Sequence, residues 1–110
     1  MNLTELLFGQ SRLIGEEVAL FGYLISHNET YVVGSAEDID SDLRVLLPHS
    51  IVQAALLDQV DCLVGGAALY MDHCRVQGVL AHEFGALVIH PRTIEIIRPQ
   101  RPVCIVTIEA

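Results

Sequence analysis

The stretch that most limits what this chain can fold into is residues 16–26, EEVALFGYLIS. In an extended strand successive side chains alternate between faces, so Val18, Leu20, Gly22 and Leu24 point one way and Ala19, Phe21, Tyr23 and Ile25 the other. Both faces are apolar. Such a strand lies at the centre of a covered sheet or coils tightly within a small barrel. Gly22 at its middle predicts a bend or a close backbone approach. The pattern has an echo, because Leu20-x-Gly22-x-Leu24 returns in kind as Val76-x-Gly78-x-Leu80.

Upstream, residues 2–8 predict a short helix with Asn2 as N-cap and Gly9 at its C-terminal stop. Leu3, Leu6 and Leu7 form its packing face. His27-Asn28-Glu29 turns into a second strand, residues 30–34, which completes a hairpin. Residues 35–42, SAEDIDSD, form a polar connection that carries Glu37, Asp38, Asp40 and Asp42. A third strand, residues 43–47, stops at Pro48. Residues 49–61 predict a helix with an apolar face of Ile51, Ala54 and Ala55, and Leu57 at its margin. Residues 62–70 contain Gly65-Gly66 and fit either a broken strand or a loop crossing a barrel mouth. Residues 75–82 predict a strand. Residues 86–90 and 93–98 continue as strands around Pro91. After a rigid break at 99–102, residues 103–109 predict a last strand.

With 110 residues, of which 52% are hydrophobic, the chain is expected to form one domain, residues 1–110, with one core. Its 14 acidic and 6 basic residues give a net charge of −8, and every basic residue is Arg. That balance opposes a phosphate-backbone binder and docking on an anionic membrane. The Arg-only basic set fits a GC-rich bacterial genome. Three cysteines, Cys62, Cys74 and Cys104, cannot all pair within one chain and are too few for a disulfide scaffold. The N-terminus has no basic leader region and no apolar run is membrane-sized, so the expected location is the cytoplasm.

The element order, with glycine-kinked first and fourth strands and a helix between the third and fourth, resembles the OB-fold, a five-stranded, partly open Greek-key barrel. The expected fold is thus mainly β: a small OB-like barrel with one helix between strands 3 and 4. A short N-terminal helix and an extra C-terminal strand are added to it. The departures from the OB pattern are the insertion at 62–74 and the strand after Pro102. The chain is also similar to small bacterial OB-like proteins that carry a Gly65-Gly66, Tyr70-x-Asp72 and Val76-x-Gly78-x-Leu80 stretch, and no activity attaches to that resemblance.

Motifs for chemistry are sparse. Asp72, His73, Cys74, His82 and Glu83 are potential metal ligands, but they lack the tight Cys/His pair spacing of zinc sites, so no metal is expected. No nucleophile elbow is present, and the cysteines lie in or beside apolar segments where thiols are buried and inert. A phosphate-binding loop of the Walker type needs a Lys that this chain lacks. Counting a calcium loop from Glu37 puts Asp42 where Gly is required and Pro48 where Glu is required. The chain is therefore expected to be no enzyme and to need no cofactor.

Three functions fit these residues. The first is a non-catalytic protein-binding module, of the kind that neutralises a basic enzyme as an inhibitor or immunity protein does. Glu37, Asp38, Asp40 and Asp42 would supply its charge, and Tyr31 and Tyr70 its anchors. The second is a single-stranded nucleic-acid binder, with Tyr31 stacking bases; the acidic surroundings make nucleic acid the weaker choice of partner. The third is a homo-oligomeric structural subunit joined through the apolar strand at 103–108, which would be an aggregation edge if left unpaired.

Overall fold

The computed structural model describes residues 1–62, 66 and 68–108. Among them the chain is mainly β. Helices α1 (Leu3–Phe8) and α2 (Gln10–Leu13) lead into strands β1 (Glu17–Ser26), β2 (Thr30–Val33) and β3 (Val45–Leu46). Helix α3 (His49–Gln59) follows, and then strands β4 (Tyr70–Glu83), β5 (Ala86–Ile97) and β6 (Cys104–Thr107). The strand order is β3-β2-β1-β4-β5-β6, and an additional β3–β5 pairing closes five of the strands into a ring. The closing pair is parallel and consists of Leu46 with Val88; every other pairing is antiparallel.

The two glycines let the ring close. A Cβ on Gly22 would stand 2.5 Å from the Val33 carbonyl oxygen and 2.6 Å from Val32 Cγ1. A Cβ on Gly78 would stand 2.6 Å from Pro91 Cα and closer still to the His90 carbonyl oxygen. At Gly78 the β4–β5 register also shifts, which is the local irregularity of a β-bulge. The shift explains how β5 runs unbroken through Pro91, where two strands were expected: Pro lacks an N–H, and a bulge is one of the few places in a sheet that tolerates it.

Inside the ring lie Leu20, Leu24, Val32, Val45, Val76, Leu80, Ile89, Ile94 and Ile96, all essentially inaccessible. Leu3 and Leu6 of α1 close one part of this core. Asn2 caps α1 as expected, accepting from the Glu5 N–H while the Asn2 N–H donates to the Glu5 side chain. Helix α3 presents Val52 and Leu56 to the core and leaves Ile51, Ala54 and Leu57 exposed. The expected apolar face is therefore turned by one residue. The stripe that wins begins at Val52 and runs through Ala55 and Leu56 to Gln59. Its last member is polar because it is used: the Gln59 side chain bonds both the N–H and the carbonyl of Thr107 in β6. The N-terminal end of α3 is tied to the β1–β2 hairpin through polar contacts. Ser26 Oγ lies 2.8 Å from Thr30 Oγ1, Thr30 Oγ1 lies 2.9 Å from His49 Nδ1, and Gln53 Nε2 donates to Ser26 Oγ and the His27 carbonyl.

The third strand is shorter than expected, at Val45–Leu46, and the fourth longer, beginning at Tyr70. Of the stretch 62–70, residues 63–65 and 67 lie outside the described residues, as does Glu109 at the end of the expected last strand. β6 does not hang free: it pairs with β5 from Thr93↔Thr107 to Ile96↔Cys104. Among the described residues, no helix is long and apolar enough to cross a membrane. Because both glycines face backbone, Gly78→Ala is expected to cost at least about 2 kcal/mol through overpacking. Urea denaturation checks this, and an unchanged midpoint would mean that the two strands do not approach so closely.

Candidate functional site

The acidic connection and the outer side of the β1–β2 hairpin build one surface. Glu37, Asp38, Asp40 and Asp42 are all exposed on the chain between β2 and β3, which includes a short 3₁₀ turn at Ala36–Asp38. Hydrogen bonds and a cation–π contact hold this connection. Ser35 Oγ donates to Asp38 Oδ2 at 3.0 Å. Arg44 donates from Nε and Nη2 to the Ser41 carbonyl at 3.0 and 2.8 Å. The same guanidinium lies 4.1 Å over the centre of the Tyr31 ring, a cation–π contact. Tyr31 in turn donates its hydroxyl to the Ile39 carbonyl at 3.4 Å. Arg44 thus fixes the connection to the second strand, although it is a lone cation among carboxylates.

Below the connection is an open recess of ≈ 320 Å³, with Ile25, Tyr31, Ile39, Ala68 and Met71 as its apolar wall and Glu29 and Asp40 at its polar edge. The wall belongs to a second, smaller apolar cluster around Ile25, Val33 and Ala68, against which Tyr23, Tyr31, Ile39 and Met71 pack. This is the second apolar face of β1. Its apolar character was visible in Tyr23 and Ile25, whereas Ile39 and Met71 were not singled out from the sequence, because their contribution depends on how the connection folds back.

Of the six residues expected to meet a partner, the structure brings Tyr31 and Asp40 together in the recess and places Glu37, Asp38 and Asp42 on the same connection. Tyr70 is a correction. Its side chain is fully buried in the core and its hydroxyl donates to the Val60 carbonyl at 2.6 Å, so it ties the end of α3 to β4 and offers no surface. Tyr70 stands on the inner side of β4, where a large ring fills space that the ring of strands leaves open.

The residues weighed as metal ligands are separated by strand alternation. Asp72 and Cys74 point inward and His73 points outward, with its ring edge-on to Tyr23 at 5.1 Å. Glu83 lies 3.0 Å from His90 Nε2 across the β4–β5 hairpin. Among the described residues, no three His, Cys, Asp or Glu side chains gather into a metal-holding group. Asp72 is instead taken up by Arg98, in a two-pronged pair at 2.7 and 3.1 Å that is nearly closed to solvent. The hydrogen bonds that Arg98 donates to Asp72 raise the Arg98 pKa, keeping the guanidinium charged. Burial pushes the Cys74 thiol up to about 12, from an ordinary 9.0. Burial also raises Tyr23 and Tyr70.

Compared with protein-family models, curated proteins and solved structures, the chain finds no match.

Two outcomes follow from the buried groups. Arg98→Met leaves the Asp72 carboxylate buried without its partner and is expected to cost about 3–5 kcal/mol, whereas the double change Asp72→Leu with Arg98→Met regains most of it. Urea unfolding of the two variants measures the difference, and equal losses would show that the pair is not the cause. For Cys74, the folded pKa lies above the unfolded one, so its contribution is complete below pH 9 and is lost as pH rises towards 12. Unfolding free energy is therefore expected to fall across that range, and less steeply in Cys74→Ala; identical slopes would refute the burial argument.

Proposed function

We propose that this chain is a non-catalytic protein-binding module, an OB-like barrel whose acidic β2–β3 connection covers a basic surface of another protein. Its action fits that of an inhibitor or immunity protein that neutralises a basic enzyme. The observation that carries this reading is the pinned acidic connection itself. Four exposed carboxylates stand on one short segment, and Arg44 and Tyr31 hold that segment in place above an apolar recess. Fixed charges of one sign steer a basic partner and raise its association rate, and the recess offers a slot for an apolar side chain once the charges have aligned the two surfaces. Holding the connection in advance also lowers the ordering cost at binding.

The strand order supports the OB-like part of the reading. The ring runs β3-β2-β1-β4-β5, its third strand is parallel to its fifth, and the helix stands between the third and fourth strands. Tyr31 on the second strand is the feature that would favour single-stranded nucleic acid, since stacking aromatics occupy such strands in OB-type binders. Glu29 and Asp40 beside it oppose a phosphate backbone.

The test begins with affinity capture from the native lysate at low and high salt, which identifies a basic protein partner by its salt-sensitive, stoichiometric recovery. The association rate of that partner is then measured against a variant carrying Glu37→Gln, Asp38→Asn, Asp40→Asn and Asp42→Asn. At low salt the rate is expected to drop about 10- to 100-fold, with a flattened salt dependence. An unchanged rate and slope would remove the connection from the interface. Saturable binding of a labelled oligonucleotide would shift the assignment to nucleic acid.

A further inference from the structure

The outer side of β1, β4, β5 and β6 is a second surface, which adjoins the apolar recess at Tyr23 and extends away from the acidic connection. Its central row is set by the strand register: Phe21 pairs with Arg75, Arg75 with Glu95, and Glu95 with Ile105. Four strands thus present the order apolar, positive, negative, apolar. The row on one side is Ala19, Gln77, Thr93 and Thr107; the row on the other contains Tyr23, His73 and Ile97. Phe21, on a central strand, and Ile105, on the terminal strand, are 49% and 60% exposed, large values for apolar side chains.

The charges on this face are matched among themselves. Arg75 Nη1 is 2.9 Å from Glu95 Oε2 and the guanidinium lies 5.7 Å over the Phe21 ring, while Arg92 reaches Glu17. These two arginines and two glutamates cancel, and Glu83 at the far end of β4 sits against His90, so most of the net charge of −8 resides elsewhere on the chain. Two copies carrying that charge repel one another through most approaches. Here they do not. Moreover the central row is self-complementary. A two-fold axis parallel to the strands reverses the row, setting Arg75 of one copy against Glu95 of the other and Phe21 against Ile105. A two-fold contact needs that property, in which one patch is its own complement.

From this order of charges we infer that the outer face of β1, β4, β5 and β6 is a homodimer interface, with the occupant a second copy of this chain. The edge of β6 is partly covered, because Gln59 takes up the outer backbone of Thr107. Four strands at about 4.8 Å and five residues at about 3.3 Å give a face of roughly 19 by 17 Å. That extent, roughly 320 Å² per copy, falls below the standard specific interface and in the weak, transient class, so association is expected at about 100 µM. Each dimer would carry two acidic connections, so a partner with paired sites would be bound bivalently.

Sedimentation equilibrium of the full chain from about 1 to about 300 µM tests this. The wild type is expected to dimerise, and Ile105→Asp to weaken dimerisation at least about tenfold, with an unchanged circular dichroism spectrum. The decisive pair is Arg75→Glu and Glu95→Arg. Each alone places like charges across the two-fold and is expected to stay monomeric. Mixed one to one, they are expected to form a heterodimer, because an all-negative row then faces an all-positive one. A monomeric wild type, a dimer indifferent to Ile105→Asp, or a mixture that stays monomeric would each overturn the inference. None of these outcomes bears on the acidic connection.

Discussion

The structure depends on two places where backbone meets backbone without a side chain between. At Gly22 the first strand comes up against the carbonyl of Val33, and at Gly78 the fourth comes up against His90 and Pro91. A methyl group at either point would push neighbouring strands apart. With hydrogen there instead, two long strands coil sharply enough for β3 to reach β5 and close the ring. The apolar interior, the position of α3 and the outward display of Phe21 and Tyr31 all follow from that closure.

Closure also sorts the polar groups. Among the described residues, no buried side-chain nitrogen or oxygen lacks a hydrogen-bond partner. Asp72 has Arg98, Tyr70 has the Val60 carbonyl, and Ser26 and Thr30 are joined to His49 and Gln53. Each of these links fastens an element that apolar packing alone would hold loosely: the end of β5, the end of α3 and the start of α3. The acidic connection is fastened in the same way, by a single arginine that bonds the backbone and stacks on a ring. Its carboxylates are left outside this bonding, apart from Asp38, and remain in water.

Much of the ring was legible in the chain because its signals are local. The glycine-centred repeats, the two-faced apolar strand, the Asn2 cap and the helix between the third and fourth strands all depend on neighbouring residues. What was not legible depended on distant ones. The segment Ile51, Val52, Ala54, Ala55, Leu56 and Leu57 is apolar nearly all round, so its sequence allows several stripes, and only Gln59 reaching β6 selects one. Tyr70 is amphipathic and suits a surface or a core equally well; its partner, the Val60 carbonyl, becomes visible only in three dimensions. Strand alternation likewise parts Asp72 from His73, and only the fold supplies Arg98 to Asp72. The recess beside Tyr31 needed the fold-back of Ile39, which no periodicity encodes.

The ring is shut by a clasp of minimal length, the two-residue strand Val45–Leu46, whose Leu46 meets Val88 from far along the chain. Two hairpins, β1–β2 and β4–β5, are built from near neighbours, whereas the clasp and the β1–β4 pairing join residues distant in the chain. Of the two distant pairings, the clasp is much the shorter. Opening it would leave both hairpins standing and would free the acidic connection, which ends beside β3, to swing as a tethered arm. The acidic connection is thereby joined to the most briefly paired strand of the ring, so its rigidity depends on how firmly one short strand stays latched.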